Sequence, residues 1–191
     1  MSTGLVIKVD TRNAEKALAA VGRTMRPEVL LKLIGQAHLY WLNHNFRQHG
    51  AEKSWPPLRP NTLANPTRGG GGAQPLRHTG RLAMSFTAFG IRLQGQNSVS
   101  VGTEVPYAVY HQYGTRPYTI TVRPPGRASR TNPHRPGALA FWSVNGLVFR
   151  RTVKHPGLPV RALLPSMGLA KRIAVQTTEA AVAQVTKHAP R

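Results

Sequence analysis

Eight histidines, six carboxylates and no cysteine make up the acid–base and metal-binding side chains of this 191-residue chain. His38, His44 and His49 recur along one predicted helix and would suit zinc if acids or thiolates completed the set. Neither HExxH nor any close His/acid cluster is present, so they read as surface or helix-packing histidines. His111 and His155 sit in turn-rich motifs, HQYGT and HPG. No Ser or Asp partner follows from their spacing, and an isolated histidine in such a setting more often hydrogen-bonds the backbone than moves a substrate proton.

The carboxylates are Asp10, Glu15, Glu28, Glu52, Glu104 and Glu179, scattered singly over predicted helices and loops. Two-metal nuclease chemistry needs clustered acids, and these provide none. Gly69 to Gly72 lacks the Lys and the following helix of a phosphate-cradling loop, and reads as a hinge. No catalytic, cofactor-binding or metal-binding residue is assigned. The absence of cysteine removes disulfides, zinc ribbons, iron–sulfur clusters and thiol nucleophiles.

Scarce acids leave a formal net charge of +20, with 26 Lys and Arg against 6 Asp and Glu. Between Glu104 and Glu179 there are eleven bases and no acid. Self-repulsion on this scale disfavours a lone compact monomer and favours an anionic partner, either nucleic acid or an acidic protein. Arg outnumbers Lys by 19 to 7, which suits carboxylate and phosphate pairing. A G+C-rich genome would also raise Arg, but it would not remove the acids.

The elements that position these groups follow from periodicity. Leu5 to Val9 reads as a strand, and Asp10 or Thr11 can cap a short helix through about Gly22. A long helix starts near Thr24 to Glu28 and runs to His49, with apolar positions Val29, Leu30, Leu33, Ile34, Ala37, Tyr40 and Trp41, before Gly50 stops it. Residues 51–79, rich in Pro and Gly, cannot hold a helix and form a long flexible loop. Ser85 to Leu93 and Val99 to Val101 read as strands of a hairpin across Gln94-Gly95-Gln96-Asn97. Val105 to Gly114 forms a helical turn, and Tyr118 to Val122 a strand.

Arg123 to Pro136 is a basic, Pro-rich loop. Leu139 to Val144 and Leu147 to Val153 flank Asn145-Gly146, read as a two-residue hairpin turn. Pro165 to His188 is an Ala-rich helix, with Leu169 and Ile173 on one side and Val175 and Val182 nearly opposite. That pattern fits either a helix packed between two partners or scattered valines. The whole is one domain over 1–191, with residues 117–160 a basic loop plus hairpin insertion. No stretch approaches the roughly 20 apolar residues of a membrane span, and the start reads as a strand rather than a signal peptide, so a soluble, unprocessed protein is expected.

Four short patterns then occur in order: Trp55-Pro56-Pro57-Leu58 with Thr62; His78-Thr79-Gly80-Arg81-Leu82 with Ser85; Val99 to Thr103; and Tyr107-Ala108 with His111-Gln112-Tyr113-Gly114-Thr115. Together they resemble the phage virion morphogenesis and tail-completion family. Further on, Val148-Phe149 and Val153-Lys154-His155-Pro156-Gly157, ahead of Arg161-Ala162-Leu163-Leu164, are similar to head-tail joining and minor tail proteins of long-tailed phages. The Pro/Arg loop and the hairpin after Thr115 are a departure from the shorter family pattern.

The resemblance implies an α+β fold, a small mixed or antiparallel sheet packed on a long helix, with hairpin arms and a C-terminal helix. It implies a non-enzymatic virion protein, assembled in the host cytoplasm. Such a protein forms a ring, commonly six-fold, that completes the tail and joins it to the filled head. Its partners would be tail terminator or tail tube and head-tail connector proteins, with genomic DNA in the channel, no membrane and no cofactor. Arg123, Arg127, Arg130, Arg135, Arg150, Arg151 and Lys154 would face DNA or an acidic ring, against the alternative of a merely solvated loop. A non-specific DNA-binding protein is the competing reading of the charge, and a nuclease or lysis enzyme a third.

Overall fold

The computed structural model describes residues 5–10, 25–65, 74–122 and 138–188. The helix expected through Gly22, the Gly69 to Gly72 hinge and the loop from Arg123 to Pro136 lie outside them. The elements in chain order are β1 (Leu5–Asp10), α1 (Pro27–Arg47), α2 (Pro60–Leu63), α3 (Arg81–Phe89), β2 (Ile91–Leu93) and β3 (Ser98–Thr103). They continue with α4 (Ala108–Tyr113), β4 (Tyr118–Thr121), β5 (Leu139–Ser143), β6 (Gly146–Arg150), β7 (Thr152–His155) and α5 (Met167–His188). This is the expected α+β class, with helices packed on antiparallel sheets and a helix at the C-terminal end.

Helix α1 opens on Pro27, whose missing N–H is harmless in the first turn, with Glu28 near the positive end of the dipole and His44 and Arg47 near the negative end. Its buried stripe runs Leu30, Leu31, Ile34, His38, Leu42, Asn45 and Phe46. This corrects the expected face: Tyr40 is 73% exposed and Val29 is also exposed, while His38 and Asn45 occupy core positions that an apolar pattern passes over. The helix ends at Arg47, and His49, with φ of +52°, already leaves the helical path before Gly50.

The central sheet has the order β1–β3–β2, antiparallel throughout, and every residue of β3 is buried. At Gly102 the β1 backbone approaches so closely that a Cβ would lie 2.3 Å from the Leu5 carbonyl oxygen and 2.6 Å from Val6 Cα. Two clusters form on this frame. Leu30, Leu31 and Ile34 meet Val99 of β3 and Ala181 of α5. Leu42 and Phe46 meet Trp55, Leu82, Phe86, Val101, Leu163 and Leu164. Phe46 is the hinge of the second cluster, edge-on to Trp55 at 5.3 Å and tilted on Phe86 at 5.8 Å.

The segment expected as a strand from Ser85 splits. Arg81–Phe89 is helix α3, because Leu82 and Phe86, four residues apart, share the face that enters the core, and Ser85 Oγ donates to the Leu82 carbonyl at 2.7 Å. Only Ile91–Leu93 remains extended, and it pairs with β3 across the expected turn. Within the stretch expected to lack helix, Pro60 starts the single turn of α2. Helix α5, at 22 residues, is longer than α1 at 21, and packs on it. On α5, Ala181 points inward while Val175 is 54% exposed.

The chain leaves and rejoins the body at one place. Thr115 N–H donates to the Leu158 carbonyl at 3.0 Å, and Leu158 N–H to Thr115 Oγ1 at 2.8 Å. Between them, β4 pairs with β7 as a two-stranded stalk, with Tyr118 stacked on His155 at 4.7 Å, and β5 pairs with β6. Two expectations shift here. Ser143 pairs with Gly146, so Val144 and Asn145 form the tip and the left-handed φ, +97°, falls on Gly146 alone. The run Leu147 to Val153 breaks at Arg151, because Thr152–His155 finds its partner in the distant β4.

Gly102→Ala is expected to lower stability by about 2 kcal/mol, because the new methyl meets backbone that cannot yield. Gly168→Ala, whose Cβ meets nothing within 4 Å in α5, is expected to raise it by about 0.5 kcal/mol. Urea denaturation followed by tryptophan fluorescence checks both.

Candidate functional site

Leu158 to Ser166 crosses the body between β7 and α5 without joining a sheet or helix, yet Arg161, Leu163, Leu164 and Pro165 are buried. Its backbone groups therefore need partners from elsewhere. Asn45 Nδ2 donates to the carbonyls of Ala162 and Leu163, both at 3.0 Å, and Trp55 Nε1 donates to Ala162 at 3.0 Å. Gln112 Oε1 accepts from Leu163 N–H at 2.7 Å and Leu164 N–H at 3.0 Å. Arg161 N–H donates to the His111 carbonyl at 2.7 Å. At the far end Glu52 takes Ser166 N–H at 2.9 Å and the Ser166 hydroxyl as well.

Arg161 returns the connection. The residue is 5% exposed; Nε and Nη2 donate to the Pro56 carbonyl at 3.1 and 3.0 Å, and Nη2 also to Pro57 at 3.2 Å. Among the described residues no carboxylate pairs with it, and burial pulls its pKa below the ordinary arginine value. Arg161 thus ties the Trp-Pro-Pro loop to the same segment that Trp55 and Asn45 hold from the other side.

The matched motifs converge on this clasp. Trp55, His111 and Gln112 contact the segment directly, and Leu82 and Ala108 are buried in the adjoining core. Leu58 is half-buried. Gly80 takes a left-handed conformation at the start of α3, and Thr79 Oγ1 accepts from Arg81 N–H at 3.4 Å. Gly114 and Gly157 sit where backbones meet: a Cβ on Gly114 would lie 2.9 Å from the Leu158 oxygen, and one on Gly157 2.2 Å from that of Thr115. His155 Nδ1 accepts from Gly157 N–H at 3.1 Å, while Pro156 between them is exposed. Tyr107 is edge-on to His111 at 6.2 Å.

Arg150, Arg151 and Lys154 are exposed on and beside β6 and β7, and Arg123, Arg127, Arg130 and Arg135 lie outside the described residues. The sequence pattern does not single out Asn45 or Glu52, while His38 takes the helix-packing role of the two read for it. The signal for Asn45 and His38 was their place on the Leu42 and Phe46 stripe of α1.

Burial governs two of the histidines, His38 and His111. His38 is fully buried, with Nδ1 donating to the Ile34 carbonyl at 2.8 Å, and burial holds its pKa below 6.5. His111 is lowered first by burial and then by the Arg161 charge. Ser85 Oγ, the nearest motif hydroxyl, is engaged with Leu82 and with Thr103 Oγ1. Among the described residues no three His or acidic side chains gather as a metal site, and no helix is long and apolar enough to cross a membrane.

A family model, the phage virion morphogenesis family, matches residues 9–172. The matched span contains every residue of the clasp. No curated protein and no solved structure matches the chain.

Trp55 and Asn45 share the Ala162 carbonyl, so removing either leaves one donor. Trp55→Phe with Asn45→Ala is expected to cost more than the sum of the single changes, by about 1 kcal/mol or more, in a denaturation cycle. Since folding depresses the His38 and His111 pKa values, the unfolded chain binds their protons more readily. Stability is then level above pH 6.5 and falls as the pH drops below it. His38→Leu is expected to flatten that decline in melting curves taken across the range.

Proposed function

The chain belongs to the phage virion morphogenesis family, and from that premise we propose that it is a structural subunit of a long-tailed phage virion, acting at the neck. In this reading it forms a ring, six-fold as is common in the family, that completes the tail and connects it to the DNA-filled head. Tail terminator or tail tube subunits lie on one side and head-tail connector subunits on the other. The role is assembly, not catalysis.

One observation carries the structural reading. The polar side chains of motif residues Trp55, Gln112 and Arg161 are spent on backbone groups and, with Asn45 of α1, hold the Leu158 to Ser166 segment. Ser85 Oγ is engaged with the Leu82 carbonyl and Thr103 Oγ1, and His155 Nδ1 accepts from Gly157 N–H, so these motif groups also serve the fold. The net charge of +20 fits a ring whose positive surface meets DNA in transit or acidic neighbouring rings.

The charge also favours a second reading, a non-specific DNA-binding protein. It requires tight duplex binding whose affinity falls steeply with salt, with a slope of roughly −0.9 per phosphate contact. Weak binding with a shallow slope removes it.

For the leading reading, a phage carrying a nonsense mutation in this gene is expected to accumulate filled heads and separate tails. Purified protein added to that lysate is expected to restore infectious particles. Normal joined virions made without the chain would overturn the proposal.

A further inference from the structure

The hairpin of β5 and β6 is apolar on both faces. Antiparallel register sets Phe141 opposite Val148 on one face and Trp142 opposite Leu147 on the other. None of the described residues 138–155 is buried; Val144 is 62% exposed and Leu147 47%. The hairpin touches the body at the small α2, where Val144 N–H donates to Asn61 Oδ1 at 3.3 Å. The sequence of residues 123–137 contains no large apolar side chain that could cover a second face. Among the described residues nothing buries Val144 and Leu147, and a two-stranded hairpin is marginal alone in water, so its tip and Leu147 side suit a contact beyond this chain.

Charge identifies the occupant. Arg150, Arg151 and Lys154 at the hairpin base are exposed and form no ion pair with a carboxylate among the described residues. A second copy brings only six acids, of which Glu52 already binds Ser166 and Glu104 already pairs with Arg92 at 2.9 Å. It would set +20 against +20. DNA would answer the three cations but would not cover Trp142 or Leu147.

We propose that the β5–β6 hairpin is a docking arm for a different protein, one presenting an apolar or aromatic groove with an acidic rim. The arm inserts its tip and the Leu147 side into the groove, and Arg150, Arg151 and Lys154 at its base pair with the rim. This rests on the assembly reading above and specifies the chemistry of one neighbour. The two fail separately, since binding of a simple polymer needs no virion.

The full-length chain is tested by hydrogen exchange with a random copolymer of glutamate and tyrosine, with polyglutamate, and with a short DNA duplex. The copolymer is expected to slow exchange of the Leu139 to Arg150 amides and to bind about 10-fold more tightly than polyglutamate. Leu147→Ser, at an exposed position that leaves the body intact, is expected to weaken copolymer binding about 10-fold. Combined reversal of Arg150, Arg151 and Lys154 to Glu is expected to abolish it without lowering the melting temperature. Equal binding of polyglutamate, hairpin protection by the duplex in place of the copolymer, or protection that appears merely on raising the protein concentration would each overturn the proposal.

Discussion

A backbone segment that passes through a protein interior outside any helix or sheet must have its amides and carbonyls satisfied by side chains, since a buried unpaired group costs roughly 1–3 kcal/mol. Leu158 to Ser166 is such a segment, and the structure is arranged around meeting that constraint. Helix α1 delivers Asn45, the loop after it delivers Glu52 and Trp55, and α4 delivers Gln112. Leu163 and Leu164, once held, complete the apolar cluster of Phe46, Phe86 and Val101. Polar satisfaction and hydrophobic burial are therefore one event, so the clasp couples segments more than 100 residues apart in the chain.

The same clasp shows how the body carries the hairpin arm. Thr115 and Leu158 close the body beneath β4 and β7, with Gly157 allowing the two backbones to meet. Whatever is carried beyond that closure adds little strain to the core. The arm can accordingly hold a surface of its own, apolar on its hairpin and basic at its base. The scarcity of acids acts in the same direction, since few internal carboxylates compete for Arg150, Arg151 and Lys154.

Much of this was legible in the sequence where local signals dominate. Pro27 with Glu28 marked the start of α1, Gly114 ended α4 and the β-branched run from Tyr118 formed β4. The motifs at Trp55, Thr79-Gly80 and His111-Gln112 were visible as a series. Their purpose was not, because the segment they hold lies more than 100 residues along the chain from Asn45 and Trp55. Polar residues at core positions hid the true face of α1: His38 and Asn45 belong to the stripe, and Tyr40 does not. The strand expected from Ser85 rests on the β-propensity of Phe86, Thr87 and Phe89, while burial of Leu82 with Phe86 decides for helix α3. Strand β7 owes its existence to β4, a pairing that no local pattern encodes.

The claim that the clasp is the keystone of the fold is tested most directly by native-state hydrogen exchange at the Leu163 and Leu164 amides, both bound to Gln112 Oε1. If the account holds, they exchange only through global unfolding, with the same free energy and denaturant dependence as the β3 amides of Val99 and Val101. Exchange through local fraying, with little denaturant dependence and well ahead of β3, would mean that the segment merely lies on a core that stands without it.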